Sequence, residues 1–327
     1  MKSKRIQNLI MKIQALFFND STSIFYFIND FVSYKRDKLM YNYAKDIYEY
    51  SLINHIDLDS YFAKFDSESK KILEEFFNKI YYIYTHNLLE RKKLLSSNDL
   101  KHKTTIINSI KHYKDKFFLP IDKYDNSIFY YNTGLKLLPK KVIQKLEGTD
   151  FIDGGAFIGD SALIYEKLYT PRTIIAFEPE QNNYKLLLET IKKNNLKKVI
   201  PQNLGLGEKK EILKISSESS SSSISHKGDQ EIQVISIDNY ALEHNLVLGL
   251  IKLDVEGLEL EVLKGAKKTI EKDKPLLIIS IYHNGKEFFE TFDYIKKLNP
   301  NYKCIVRRLN HLTPIYELVL ICWYEDE

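Results

Sequence analysis

Three short segments hold the residues most able to do chemistry. The first is Phe151-Ile-Asp-Gly-Gly-Ala-Phe-Ile-Gly-Asp160, followed by Ser161. Gly154, Gly155 and Gly159 allow a tight turn there and a close approach of backbone to a ligand. A dinucleotide-binding turn would place G-x-G-x-x-G at this point, with a pyrophosphate at the helix N-terminus, and the spacing does not match. Asp153, closing an apolar run, would repel a pyrophosphate and suits a ligand that presents a cationic amine and a sulfonium. S-adenosylmethionine (SAM) is such a ligand, with S-adenosylhomocysteine (SAH) as its product. The second segment, Ala176-Phe-Glu-Pro179, sets Glu178 at the roughly 20-residue separation from the loop that an acceptor of two ribose hydroxyls requires. Pro179 would begin the next helix at its first position. The third, Gln202-Asn-Leu-Gly205, faces the adenine in this reading: Leu204 packs on the ring, and Asn203 either hydrogen-bonds it or serves as a turn residue. Ala156, Phe157, Asp160 and Ser161 complete the expected cofactor loop.

Methyl transfer from a sulfonium is an in-line displacement, to which an enzyme contributes mainly proximity and orientation. A hydroxyl acceptor also needs somewhere to put its proton. Two further strand ends supply candidates: Asp254 and Glu256 after one, Tyr282 and His283 after the next. His283 is the expected general base, because imidazole titrates near neutrality. Asp254 would orient His283, contact the cofactor amine or act as base itself. Glu256, Tyr282 and His283 are expected to touch the acceptor, and Glu256 could instead cap the helix that follows Gly257. Lys252 shares a strand face with Asp254 and would neutralise these carboxylates or hold an anionic substrate. Asp254, Glu256 and His283 could ligate a divalent ion, but their spacing matches no dedicated metal motif, so no metal is expected. His226 is a weaker candidate.

These residues fall at the ends of a regular alternation. Apolar strands are predicted at Asp150–Asp153, Thr173–Phe177, Val199–Asn203, Gly249–Asp254, Leu276–Tyr282, Tyr302–Arg308 and Tyr316–Trp323. Helices are predicted at Ser161–Tyr169, Gln181–Asn194, Asp238–His244, Leu258–Ile270 and Lys286–Leu298. Such alternation implies an α/β, doubly wound, mostly parallel sheet covered on both faces, with the last two strands as an antiparallel hairpin at its edge. Glu211–Ser216 and Glu231–Ile237 alternate apolar and polar residues and predict an inserted hairpin around the serine run Ser216–Ser225. That run is either a flexible linker or a lid beside the site. Ser127–Tyr131 reads as one more strand, followed by a turn at Asn132–Gly134 and a short helix at Lys140–Leu146.

Residues 1–119 contain neither glycine nor proline and read as an N-terminal α-helical region, with 120–327 as the catalytic domain. Ile72, Phe76, Ile80 and Ile83 recur at helical spacing after Asp66, a plausible N-cap, and Leu39, Tyr43, Ile47 and Tyr50 do so one element earlier. The basic amphipathic stretch Lys2–Phe17 would dock on the rest of the protein or on a second copy as a homodimer, with a membrane surface as the alternative.

Composition limits the remaining choices. A net charge of +4 is too small to argue for nucleic acid, and the paired lysines fall on solvated helices and turns. The abundance of Lys, Asn and Ile reads as the coding bias of an AT-rich bacterial genome. No apolar run reaches the roughly 18 residues of a membrane span, no signal peptide is recognisable, and Cys304 and Cys322 read as free thiols, so a cytoplasmic location is expected.

Taken together, IDGGAFIGDS at Ile152–Ser161, AFEPE at Ala176–Glu180, IKLDVEGLELEVLKGA at Ile251–Ala266, LLIISIYH at Leu276–His283, and YKCIVRRLNH with ELVLICWY near the C-terminus resemble the FkbM family of SAM-dependent methyltransferases. The resemblance spans roughly Leu135 to Tyr324, and Phe157 departs from it where many members carry Asn. It implies a Rossmann-like class I methyltransferase sheet and O-methylation of a small molecule, such as a sugar or a glycoconjugate precursor of a bacterial surface polysaccharide. A nitrogen or non-sugar acceptor, or a SAM-binding interaction protein without catalysis, are the competing expectations.

Overall fold

The computed structural model describes residues 38–86, 94, 97–215, 230–311 and 313–325. Lys2–Phe17, the serine run Ser216–Ser225 and His226 lie outside the described residues.

A seven-stranded sheet forms the centre, in the order β3-β2-β1-β7-β8-β10-β9. Its strands are β1 (Asp150–Gly154), β2 (Thr173–Phe177), β3 (Val199–Gln202), β7 (Leu248–Leu253), β8 (Leu276–Ser280), β9 (Tyr302–Arg308) and β10 (Leu318–Tyr324). The first five pair in parallel, while β10 runs antiparallel to both β8 and β9. The chain leaves β1 toward β2 and β3 and returns to β7 on the other side of β1. That reversal is the switch point at whose carboxyl end ligands bind in open α/β sheets. Register aligns the strand ends there: Asp153 lies opposite Ala176 on one side and Lys252 on the other.

Strand residues alternate between two apolar layers, because successive side chains point to opposite faces of a sheet. Ile152, Ile251, Leu277 and Leu320 join one core; Phe151, Leu250, Ile278 and Ile321 join the other. The N-terminal helices belong to the first. α1 (residues 38–53), α2 (Leu58–Phe62) and α3 (Ser67–His86) set Met40, Ile47, Leu73, Phe76, Ile80 and Ile83 into the sheet's own core. Asp66 starts α3 as expected, its Oδ1 accepting from the Glu68 and Ser69 amides at 3.0 Å. α4 (Ser97–Lys116) packs on the opposite layer through Ile106, Ile110 and Tyr113. The helical region is therefore part of the sheet's packing on both faces.

The remaining helices are α5 (Asn126–Phe129), α6 (Lys140–Gln144), α7 (Asp160–Leu168), α8 (Gln181–Lys193), α9 (Ile237–Glu243), α10 (Glu259–Lys264), α11 (Lys267–Asp273) and α12 (Gly285–Leu298). Local capping explains several boundaries: Glu180 accepts from the Asn183 amide at 2.7 Å and starts α8, and Asn284 accepts from the Glu287 amide at 2.9 Å and starts α12. The expected inserted hairpin is present, with β5 (Glu211–Ile215) antiparallel to β6 (Gln230–Ile235) and the short β4 (Gly205–Leu206) alongside.

Two expectations are corrected. Ser127–Tyr131 is no strand but the helix α5 and the turn after it. The Asp125 carboxylate accepts from the Ser127 amide at 3.0 Å, an N-cap that outweighs the β propensity of a short Ile-Phe-Tyr run. The helix predicted at Leu258–Ile270 is two helices broken at Gly265–Ala266, where a Cβ on Gly265 would stand 2.2 Å from the Gly207 carbonyl oxygen. Cys304 and Cys322 are free and face each other across β9 and β10. Among the described residues no helix is long and apolar enough to cross a membrane.

Candidate active site

A cleft opens at the carboxyl ends of β1, β2, β7 and β8. Its floor depends on one glycine. Gly155 has φ +75°, and a Cβ there would lie 1.8 Å from the Asp254 carbonyl oxygen, so the exits of β1 and β7 can touch only because this residue has no side chain. The Gly155 and Ala156 amides donate to the Phe177 carbonyl at 3.0 and 2.9 Å, and the Phe157 amide donates to Glu178 Oε2 at 2.9 Å. The loop after β1 and the acid after β2 thus fix each other. Phe157 adopts a left-handed φ of 48° to reach that position.

Most of the expected cofactor residues reach the cleft: Gly155, Phe157, Asp160, Ser161, Glu178, Pro179 and Leu204 line it, as does Asp254. Gly154, Ala156 and Gly159 do not line it and instead shape the turn; Gly159, at φ +83°, forms the N-terminal boundary of α7. Of the two readings of Asn203, the structure favours the one in which it holds the chain. Its amide donates to the Glu178 and Pro179 carbonyls at 2.9 and 3.2 Å, which makes it a clamp on the β2 exit and not a contact for a base.

Asp153 is the larger correction. Its side chain is 0% exposed and does not line the cleft. Lys252 Nζ sits 3.1 Å from its Oδ1, and Ser161 donates its hydroxyl to Oδ2. The expected direct attraction of Asp153 for a cationic ligand is replaced by an internal ion pair. The same lysine donates to the Gly154 and Gly155 carbonyls at 3.2 and 3.0 Å, so it is a strut under the loop while it also lines the cleft. The acids that face the cleft are others. Burial pushes Asp160 up to about 7, against the pull of Lys123 and Lys252. Burial likewise raises Glu178 to about 7, opposed by the Glu180 and Phe157 amides that its carboxylate accepts.

The far end of the cleft carries Asp254, Glu256 and Tyr282, as expected from the sequence, together with Lys123, Asp125, Ser127 and Glu317. The last four were missed. Ser127 was misread as the start of a strand, Lys123 and Asp125 were passed over, and Glu317 became legible only once β10 was seen to lie beside β8. Burial and the nearby Asp125 and Asp254 raise Glu317 to about 8. Tyr43 of α1 donates to Glu256 Oε2 at 2.9 Å, so the N-terminal helices touch this end directly. Glu256 itself is held at φ +57° and Gly257 at φ +101°. The buried Glu259 carboxylate stabilises that bend by accepting from the Val255 amide at 2.7 Å and the Gly257 amide at 3.1 Å.

His283 does not line the cleft. It is 4% exposed, with Nδ1 3.1 Å from Glu259 Oε1 and Nε2 3.5 Å from Asp254 Oδ1 and 3.7 Å from Glu256 Oε2. Burial would lower its pKa, but the surrounding Glu259, Glu256 and Asp254 carboxylates raise it to about 10. A ring enclosed this way has no path to an acceptor's proton, which corrects its expected role as the general base.

The cleft suits SAM on its own chemistry. Glu178 keeps acceptor capacity for hydroxyls, Phe177, Pro179 and Leu204 give an apolar wall for a planar ring, and Asp160 stands nearby for a cation. Comparison agrees. Residues 153–303 match the family model of the methyltransferase FkbM domain. Among solved structures, the methyltransferase FkbM from Methylobacillus flagellatus KT superposes with a TM-score of 0.55 at 19% identity, covering 81% of this chain and 58% of that one. This chain thus spans less than two thirds of that protein, and at such identity the likeness is one of fold. A precorrin-6y C5,15-methyltransferase from Geobacter metallireducens (TM-score 0.39, 10% identity, 65% of this chain and 96% of that one) is more distant. So is a methyltransferase from Geobacter sulfurreducens (TM-score 0.40, 8% identity, 71% and 98%). No curated protein matches the sequence.

Proposed function

With an FkbM methyltransferase domain across residues 153–303 as the premise, we propose that the chain is a SAM-dependent O-methyltransferase whose acceptor is a hydroxyl of a sugar or glycoconjugate precursor. One observation carries the acceptor class: the cleft beyond the cofactor loop is lined by the carboxyl groups of Asp125, Asp254, Glu256 and Glu317, against the two cations Lys123 and Lys252. Carboxylates accept hydrogen bonds from hydroxyls in two directions each, which suits a polyol.

Bound SAM supplies an electrophilic methyl group. The chain's own residues then have three tasks. Gly155, Phe157 and Glu178 seat the donor beside β1 and β2. Asp254, whose amide donates to the Gly154 carbonyl at 3.0 Å, stands next to that seat and takes the proton of the acceptor hydroxyl. Tyr282 steers Asp254 through a long hydrogen bond of 3.4 Å to Oδ1, and Tyr43 steers Glu256. Closeness and alignment account for most of the rate in such a displacement.

The test uses two readouts. SAH should raise the melting temperature, since a ligand that binds only the native state stabilises it by mass action. A panel of neutral glycosides, amino sugars and sugar phosphates, assayed for labelled methyl transfer, should favour the uncharged polyols. Asp254→Asn should keep the SAH shift and lose turnover by at least about 100-fold. Absence of an SAH shift defeats the cofactor assignment. Transfer to sugar phosphates alone defeats the acceptor class, and undiminished Asp254→Asn turnover defeats the base.

A further inference from the structure

The methionine end of SAM is a zwitterion, with a carboxylate and an ammonium on one carbon beside the sulfonium. The cleft holds acids in plenty for the two cations, Asp160 and Asp254 among them. A carboxylate set among those acids without a donor of its own would oppose binding. Two cations line the cleft, Lys123 and Lys252. An ammonium has three donors, and those of Lys252 are all committed within the protein. Asp153 Oδ1 at 3.1 Å, the Gly154 carbonyl at 3.2 Å and the Gly155 carbonyl at 3.0 Å take them. Lys123 is placed differently. The residue is exposed, and its Nζ lies 5.6 Å from the centre of the Phe157 ring, in the cofactor loop. Among the described residues that ring is the partner of its ammonium, and no carboxylate pairs with it. It nevertheless stands near Asp160. Burial raises that carboxyl, and Lys123 is the largest of the charges that oppose the rise. A cation with uncommitted donors and an acid thus face the cleft side by side, at the loop where the donor sits.

We propose that Lys123 anchors the carboxylate of the cofactor's methionine end, while Asp160 takes the ammonium beside it. The inference rests on the SAM reading of the cleft and adds a contact from outside residues 153–303. Lys123 belongs to the segment between α4 and α5, and that segment is fastened on both sides of it. On one side the Phe118 amide donates to Asn194 Oδ1 at 2.9 Å, and Asn194 Nδ2 donates to the Phe118 carbonyl at 2.8 Å, at the C-terminal end of α8. On the other, the Tyr124 hydroxyl donates to the Phe117 carbonyl at 2.6 Å, and Asp125 caps α5. The Lys123 amide itself closes a tight turn on the Ile121 carbonyl at 2.7 Å. The backbone is therefore held while the long side chain stays free to meet the ligand. A charge-assisted hydrogen bond from an ammonium to a carboxylate is among the stronger polar contacts. By this contact the segment joining the helical region to the sheet distinguishes a complete amino-acid end from a truncated one.

The probes are SAM and decarboxylated SAM, which keeps the sulfonium and the amine and lacks only the carboxylate. Each is titrated calorimetrically into the full chain without an acceptor. Lys123→Met should weaken SAM at least about tenfold and leave decarboxylated SAM within about twofold of its affinity for the natural sequence. Lys123→Arg should keep most of the SAM affinity, because a guanidinium also donates to a carboxylate. The residue is exposed, so the ligand-free Lys123→Met variant should melt with the natural protein. SAM affinity unchanged in Lys123→Met overturns the assignment. Equal weakening of both ligands overturns it as well, since that is the mark of a disturbed loop and not of a lost carboxylate contact. The two ideas fail separately. SAM bound tightly but indifferently to Lys123 removes this anchor and leaves the cofactor reading standing, whereas no SAM binding to the natural sequence removes the cofactor reading and the anchor with it.

Discussion

Replacing Lys252 by methionine removes the cation under the cofactor loop while keeping most of the side-chain volume. Lys252 Nζ is 3.1 Å from Asp153 Oδ1, and the two side chains are 11% and 0% exposed. At an effective dielectric near 20, opposite charges at that separation attract by about 5 kcal/mol. Burial of both ions consumes part of this, yet removing one partner strands the other. Asp153 would keep only the Ser161 hydroxyl as donor, the Gly155 carbonyl would lose the lysine's bond, and the Gly154 carbonyl would keep only the Asp254 amide. Breaking a buried pair from one side typically destabilises by about 3–5 kcal/mol, and that is the loss expected for Lys252→Met. Asp153→Asn/Lys252→Met should recover much of it, because asparagine is neutral and still accepts from Ser161. The coupling energy between the two sites should reach about 2–3 kcal/mol. Guanidinium denaturation followed by the fluorescence of the single tryptophan, buried Trp323, measures all four corners of the cycle. A loss below about 1 kcal/mol for Lys252→Met, or coupling below about 0.5 kcal/mol, would refute the view that the Asp153 charge is satisfied internally.

Three further outcomes follow from the same geometry. Glu178 and Asp160 have folded values near 7, above their unfolded ones. Their contribution to the stability of the ligand-free protein is therefore full below about pH 4 and lost as pH rises through 7. Its melting temperature should fall from pH 6 to 8 while SAH affinity, which uses the ionised Glu178, rises; Glu178→Gln should flatten the affinity profile, and a flat profile in the natural sequence would sink this assignment. Gly155→Ala should cost more than about 2 kcal/mol and abolish SAH binding, because its Cβ would meet the Asp254 carbonyl. Gly148→Ala, also at positive φ (+71°) but with nothing within 4 Å, should cost only about 1 kcal/mol in the same unfolding assay. Leu73→Ala in α3 should destabilise the whole protein by about 2–5 kcal/mol in one transition, since Leu73 is buried in the sheet's core; a separate low-temperature transition in calorimetry would mean that the helices fold as their own module.

Much of this protein is determined locally and could be read without its fold. Short apolar strands alternating with capped helices specify a parallel α/β sheet, because the two periodicities are properties of neighbouring residues. The strands predicted at Thr173–Phe177 and Tyr302–Arg308 match the observed bounds of β2 and β9. Gly155, Glu178 and Asp254 were identifiable because a strand's carboxyl end is also a position in the chain. Where the sequence misled, the deciding partner lay far away. Asp153 looked like a ligand contact until β7 placed Lys252 against it, 99 positions on. His283 looked like a free base until Glu259, Glu256 and Asp254 closed around it. Asn203 could be a base contact or a turn residue until the β2 exit took its amide. Sequence determines which groups can ionise and which segments turn. Which charges meet, and so which remain for chemistry, depends on strand order and register, which bring side chains from distant positions within a few ångströms of one another in an interior where water no longer screens them.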